Sequence, residues 1–323
     1  MASLSIIGAG AWGSALAIAL SDNFDTVYLH THTEKKEAIL QTQHPALSVD
    51  YTDNIELTFD LSKVQQADSI LIAVPSYGFS TTLKSIKPFL NNQPIAWVTK
   101  GFDTNAHSFL HESFDSILGD YPSCVISGPS FALEVANRKP TALVVASKDE
   151  KIRNYWAKAF NTDALRAYTN DDVIGVEVGG SVKNILAIAA GIASGLDYGA
   201  NTQAALITRG LVEMIRLGTA LGAKSETFNG LSGLGDLVLT CSDDLSRNRR
   251  FGKELANNQS VEQALTNVGA TVEGANTLAL VLSIAQKNGI EMPICEQVKQ
   301  VIDGKTTPTE AVNHLMSRTQ IQE

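Results

Sequence analysis

Near the start of the chain, glycines fall in the pattern Gly8-Ala-Gly10-Ala-Trp-Gly13, between the apolar run Leu4–Ile7 and the apolar stretch Ser14–Leu20. This arrangement implies a strand, a tight turn and a helix. The first glycine permits the turn, and the second lets a pyrophosphate approach the backbone. The third lets helix and strand pack closely, so that the helix N-terminus faces the phosphates. A bare GxGxxG is weak evidence, but one between a strand and an apolar helix is strong. Thr26–His30 reads as the next strand. An acid at its end would bind a ribose 2′-hydroxyl and repel a 2′-phosphate. Here the chain offers His30-Thr-His32-Thr33, with Glu34 and Lys35 only afterwards. We therefore expect NADP to be tolerated alongside NAD, with at least one of His30 and His32 otherwise an ordinary surface histidine.

The same grammar repeats. Ser69–Val74 ends in Pro75-Ser76, Ile95–Thr99 in Lys100-Gly101, and Cys124–Ser127 in Gly128-Pro129-Ser130. Near-continuous apolar runs separated by helical segments indicate a buried, mostly parallel sheet. Ligands of such sheets bind beyond the carboxyl ends of the strands, which makes Lys100 a candidate anion ligand. Thr141–Ala146 and Leu165–Tyr168 read as the last strands, and Thr169-Asn-Asp-Asp172 as a helix start. Everything after that reads as helical, including Thr202–Leu221 (with Arg209 and Glu213 one turn apart), Gly274–Lys287, Cys295–Ile302 and Pro308–Met316. We expect a domain change near residue 170, giving domains 1–170 and 171–323.

The helical half opens on a problem. Between Val178 and Leu196 the only formally charged residue is Lys183. Its helical neighbours Gly179, Gly180, Leu186 and Ala187 offer no carboxylate. The run is too apolar for a surface, and its small residues permit close backbone approach. A buried lysine needs a partner or a depressed pKa, and either makes it a candidate acid–base group. Snorkelling or a structural ion pair competes with that reading. A membrane span fits poorly, because Lys and Asn occupy the centre and glycines interrupt the run.

Later, Gly230–Cys241 reads as neither helix nor ordinary loop. Three glycines in the six residues Gly230–Gly235 are followed by Asp236. Ser246-Arg-Asn-Arg-Arg250 is the densest positive charge in a chain of net charge −9, and guanidinium donors suit a phosphate. That acidic balance argues against nucleic acid as a partner. With 323 residues, 44% apolar and 18% charged, the composition is globular with room for two cores. Cys124, Cys241 and Cys295 are odd in number and lack metal-ligand spacing, so we expect no zinc site, no structural disulfide and a reducing compartment. No charged n-region precedes the first strand, so no signal peptide is expected.

Taken together, these motifs resemble those of the bacterial-type NAD(P)-dependent glycerol-3-phosphate dehydrogenases. The resemblance rests on Gly8–Gly13, Thr99-Lys-Gly101, Ile126–Ala132, Gly179-Gly-Ser-Val-Lys-Asn184, Gly233-Leu-Gly-Asp-Leu237, Ser246–Gly252 and Val272-Glu-Gly274. It spans nearly the whole chain. It implies a Rossmann-type α/β domain with a mostly parallel sheet, followed by an all-α domain like that of 6-phosphogluconate dehydrogenase. It implies Lys183 as the catalytic proton carrier. The substrate, glycerol 3-phosphate or dihydroxyacetone phosphate, would meet Lys100, Gly128, Ser130, Lys183, Asp236, Ser246, Arg247 and Asn248. The cofactor, NADP or NAD with no metal, would lie on the loop of Gly8, Gly10 and Gly13 and meet Ala11, Trp12, His32, Lys100, Ala132, Arg247 and Glu273. The family often has Ser or Asn where this chain has Ala11, so backbone amides must serve there. His32 is a weaker phosphate partner than the arginine many members carry. The resemblance further implies a soluble cytoplasmic enzyme of phospholipid synthesis, with a homodimer as one assembly open to it. Burial, Asp236 and the substrate phosphate each remain able to set the charge of Lys183. A ketopantoate- or β-hydroxyacid-type reductase and a nucleotide-binding sensor without turnover are the alternatives.

Overall fold

The computed structural model describes residues 2–32, 42–257, 259–269 and 271–317. Glu34 and Lys35 lie outside them. Two compact units divide between Glu177 and Val178.

The first unit carries an eight-stranded sheet of order β3-β2-β1-β4-β5-β6-β7-β8. The strands are β1 (Ser3–Ile7), β2 (Thr26–His30), β3 (Ile55–Thr58), β4 (Ser69–Ile72), β5 (Ile95–Trp97), β6 (Ser123–Ser127), β7 (Thr141–Ala146) and β8 (Leu165–Asn170). β1 to β6 are mutually parallel; β7 pairs antiparallel with β6, and β8 runs parallel to β7. Register places Ile7 beside His30 and Ile72, Ile72 beside Trp97, and Trp97 beside Val125. The loops after β1, β4, β5 and β6 therefore emerge from one edge of the sheet.

β4 is buried at every position, as expected for a strand covered on both faces. Helix α1 (Ala11–Leu20) buries nearly its whole length. Helices also span Phe79–Ile86 (α2) and Leu110–Leu118 (α3). Helix α1 packs on a short helix, α4 (Ala132–Ala136). β3 has no counterpart in the sequence reading. Its Ile-Glu-Leu-Thr is half exposed at the sheet edge, so it carries no continuous apolar run.

Of the two histidines, His32 is the surface one, while His30 is buried with its Nε2 2.6 Å from Ser5 Oγ. Burial pushes the imidazole down to about 4. Its strand position explains this, since the C-terminal residue of β2 still lies inside the sheet.

The second unit is helical. Helix α5 (Val173–Gly195) begins where Asp172 Oδ1 accepts the Gly175 N–H at 2.8 Å, a side-chain N-cap. Among the described residues it is the one helix long and apolar enough to cross a membrane, yet 83% of its apolar window is buried in the protein. It continues into α6 (Ala200–Ala220), α7 (Asp236–Ser242), α8 (Arg247–Ala256), α9 (Glu273–Lys287), α10 (Pro293–Ile302) and α11 (Pro308–Met316). The Gly230–Cys241 stretch is more regular than the sequence reading allowed. Leu231–Gly235 forms a π-helical turn that runs directly into α7. The glycines let this turn approach α5, where a Cβ on Gly179 would strike the Ser232 carbonyl.

Glu213 on α6 is buried, and its carboxylate accepts the Ile294 N–H at 2.6 Å and the Cys295 N–H at 3.3 Å, capping α10. Burial pushes this carboxyl up to about 7 from 4.5. The folded chain thus holds a proton that the unfolded chain releases over that interval. The contribution to stability is full below pH 4.5 and is lost as pH rises through 7. The gap corresponds to about 3 kcal/mol at most. For Glu213→Gln we expect the decline in Tm between acid and neutral pH to shrink by roughly 5 °C. Identical pH dependence of Tm in both proteins would show that Glu213 is not its source.

Candidate active site

In the first unit, the glycine loop has the form its spacing demands. Gly8 adopts φ +117°, and a Cβ there would stand 2.8 Å from the Ala73 carbonyl oxygen. A Cβ on Gly13 would overlap the Gly8 carbonyl, so α1 and β1 can approach only with glycine. Gly10 is the opposite case: a Cβ would find no heavy atom within 4 Å. It is the N-cap of α1 and no side chain caps that terminus, so the amides of Ala11, Trp12 and Gly13 begin the helix without a side-chain acceptor. The loop is fastened from behind, where the His30 carbonyl accepts the Gly8 and Ala9 N–H groups at 3.1 and 3.0 Å. An open glycine at a helix start, backed by rigid strands, fits a dinucleotide pyrophosphate. His32 lies just beyond β2 and is exposed, and Ala132 opens α4.

Lys100, Gly128 and Ser130 come together at the same sheet edge. The Gly128 carbonyl accepts from Lys100 Nζ at 3.0 Å and from Ser130 Oγ at 3.1 Å. Thr99 Oγ1 donates to the Val74 carbonyl at 2.8 Å, tying the loop after β5 to the loop after β4. Both Lys100 and Ser130 are half-buried.

In the second unit, Lys183 is 6% exposed and Asp236 0%. The lysine ammonium donates to Asp236 Oδ1 and, at 2.9 Å, to Thr240 Oγ1. Thr240 in turn donates to the Asp236 carbonyl at 2.6 Å. The partner that helix α5 itself lacks is thus supplied by α7, one turn of which presents both acceptors. A carboxylate at hydrogen-bond distance favours the ammonium form of the lysine. Thr240 did not figure in the sequence reading, although its place four residues after Asp236 puts both on one helical face.

Asn184, next to Lys183, accepts Asn248 Nδ2 at 3.0 Å, and Asn248 Oδ1 accepts the Gly274 N–H at 2.9 Å. Asn248 is therefore buried as a brace between α5, α8 and α9. Ser246 N-caps α8 through the Arg249 N–H at 3.2 Å. Of the three arginines, Arg249 is buried, paired with Asp244 and 3.0 Å from Ser194 Oγ. Arg247 and Arg250 are exposed, and Arg247 lies within electrostatic reach of Glu273. Among the described residues no cluster of His, Cys, Asp or Glu could hold a metal ion. The three cysteines are buried and unpaired.

Residues 3–153 match the model of the NAD-dependent glycerol-3-phosphate dehydrogenase N-terminus, and residues 172–313 match that of its C-terminus. The chain belongs to the NAD(P)-dependent glycerol-3-phosphate dehydrogenase family. It is 66% identical over 320 residues to glycerol-3-phosphate dehydrogenase [NAD(P)+] of Vesicomyosocius okutanii, covering 99% of this chain and 98% of that one. To the enzyme of the same name from Ruthia magnifica it is 66% identical over 321 residues, covering 99% of each. The crystal structure of glycerol-3-phosphate dehydrogenase from Coxiella burnetii superposes with a TM-score of 0.93 at 40% identity, covering 98% of this chain and 99% of that one.

Proposed function

We propose that the chain catalyses the reversible, NAD(P)H-dependent reduction of dihydroxyacetone phosphate to sn-glycerol 3-phosphate, supplying the backbone of phospholipids from the cytoplasm. The observation that carries this reading is a buried lysine whose Nζ is hydrogen-bonded to Asp236 and Thr240, in a chain matched at both ends by the family's models. Residues 1–170 take the cofactor role and residues 171–323 the substrate and proton-transfer role.

The nicotinamide, when bound, supplies the hydride that is added to C2 of the substrate. Lys183 gives a proton to the C2 oxygen as that oxygen gains charge. Asp236 and Thr240 aim the Lys183 Nζ; reduction needs it as the ammonium, and oxidation of the alcohol needs the amine neutral. The amides of Ala11, Trp12 and Gly13 would hold the pyrophosphate, and Ala132, Glu273 and His32 would contact the rest of the cofactor. Because His32 is not an acid, both NADPH and NADH are accepted. Lys100, Gly128 and Ser130 orient the substrate from the sheet edge. Ser246, Arg247 and Asn248 form the phosphate grip at the start of α8, where the helix N-terminus adds its own attraction for an anion. A homodimer is the assembly we assign, read in solution as about twice the 34.5 kDa chain mass.

The test is the oxidation of NADPH and of NADH, followed at the nicotinamide absorbance, with dihydroxyacetone phosphate and a panel of 2-oxo acids. Turnover with a 2-oxo acid alone would replace this reading with that of a carboxylate-specific reductase. Binding without any turnover would leave a sensor. Arg247→Ala is expected to raise KM for dihydroxyacetone phosphate by about 10- to 100-fold, the worth of one charge-assisted hydrogen bond. An unchanged KM would remove Arg247 from the phosphate site.

A further inference from the structure

The helical unit holds a recess that the reaction above does not use. A cavity of about 550 Å³ is bounded by α5, α6, α10 and α11. Ile192 of α5, Leu206 and Val212 of α6, Ile294 and Val298 of α10 and Leu315 of α11 supply its walls. Among the described residues that line it none is aromatic, so a nucleobase or other flat ring finds nothing to stack on. Its size falls within the roughly 300–1,000 Å³ of small-molecule sites. Apolar recesses of this kind hold water poorly and take up hydrocarbon instead.

One wall also carries charge. Arg209 and Arg216 stand two turns apart on α6 and both line the cavity, with Glu213 between them on the same helical face. Both arginines are exposed, so their positive charge lies where the recess meets water. Glu213 is buried, and its carboxylate accepts the Ile294 and Cys295 N–H groups. The acid is thus turned to helix α10, and the charge offered at the mouth is positive. Aliphatic walls with guanidinium groups at the opening complement a hydrocarbon tail that ends in an anion.

We propose that this cavity is a binding site for a free, single-chain aliphatic carboxylate. The chain lies among Ile192, Leu206, Val212, Ile294, Val298 and Leu315, and the head meets Arg209 and Arg216. A planar carboxylate matches the guanidinium fork, which an alcohol or an ammonium head does not. Four bounding helices leave a recess rather than a flat face, which suits one hydrocarbon chain and not a bilayer surface. Every residue of the site belongs to the second unit, and binding needs neither nicotinamide nor dihydroxyacetone phosphate.

The experiment is calorimetric titration of the full chain with octanoate, decanoate and dodecanoate, each below its micelle concentration. One ligand per chain is expected, with affinity rising about fourfold per added methylene, the gain from burying one CH₂. Decyltrimethylammonium, of like tail and opposite charge, should bind at least about tenfold more weakly than decanoate. The double variant Arg209→Gln with Arg216→Gln should weaken dodecanoate by about 10-fold, the lower end for a charge-assisted hydrogen bond because the mouth is wet. Val212→Phe, which adds a ring to a half-buried wall position, should abolish binding and leave the circular dichroism of wild type. Should Val212→Phe not fold, the chain-length series and the arginine pair decide. No saturable binding, or affinity indifferent to chain length and head charge, would overturn the proposal. Binding to anionic phospholipid vesicles but to no free carboxylate would make the recess part of a membrane-facing surface instead. A Val212→Phe chain that sediments as a monomer where wild type is a dimer, with dodecanoate bound by neither, would make it an interface between copies.

Discussion

Lys183→Ala is expected to lower kcat by roughly 10²- to 10⁴-fold, the range spanned by loss of a general acid, while NADPH affinity stays within about twofold. The cofactor loop belongs to the first unit and Lys183 to the second. A complication is built into the site. Removing the ammonium takes the ion-pair partner from the Asp236 carboxylate at 0% exposure, and breaking a buried pair from one side costs about 3–5 kcal/mol. Loss of turnover could then be mistaken for loss of fold. The double variant Lys183→Met with Asp236→Leu separates the two effects, because replacing both charges with apolar groups of similar volume is close to neutral for stability. We expect it to regain most of the Tm lost by Lys183→Ala while remaining inactive. Retention of kcat within about tenfold of wild type in Lys183→Ala would rule out the lysine as the proton donor.

How much of this was legible in the sequence differs residue by residue. The glycine loop was, because each glycine answers a separate steric demand: a positive φ at Gly8, open space at Gly10 and backbone contact at Gly13. The strands leading to Lys100 and Gly128 were legible as apolar runs, though β4 and β5 stop at Ile72 and Trp97, before the ends of those runs. The need of Lys183 for a partner could be stated from composition alone. The identity of that partner could not, since Asp236 lies 53 residues away and only the tertiary fold brings α7 to α5. The arginine run misled in part. Its density suggested a single anion site, yet Arg249 is turned inward to Asp244 and Ser194, which helical spacing on α8 decides and sequence proximity hides. Glu213 went unread because a buried carboxylate that caps amides looks, in sequence, like any surface glutamate.

The arrangement of Ser246, Arg247 and Asn248 depends on a contact one helical turn beyond Asn248. Helices α5 and α8 cross at Gly191 and Gly252. A Cβ on Gly252 would stand 2.8 Å from the Ile192 nitrogen and 3.0 Å from the Gly191 Cα, and closer still to the Ile188 carbonyl oxygen. All three are backbone atoms within or beside a buried helix, so α8 itself must move away. Gly252→Ala is therefore expected to cost about 1–3 kcal/mol through overpacking. The displacement would also stretch the Asn184–Asn248 hydrogen bond, now 3.0 Å, and the Gly274–Asn248 bond, now 2.9 Å, which set the start of α8. KM for dihydroxyacetone phosphate should then rise by roughly tenfold or more, since small misplacements of binding groups are expensive. Gly199→Ala serves as the control, because a Cβ there would meet no heavy atom within 4 Å. Thermal unfolding and steady-state kinetics of the two variants decide the matter. Were Gly252→Ala to keep the Tm and KM of Gly199→Ala, the crossing would not govern the phosphate grip, and the orientation of Arg247 would have to be set by the local cap at Ser246 alone.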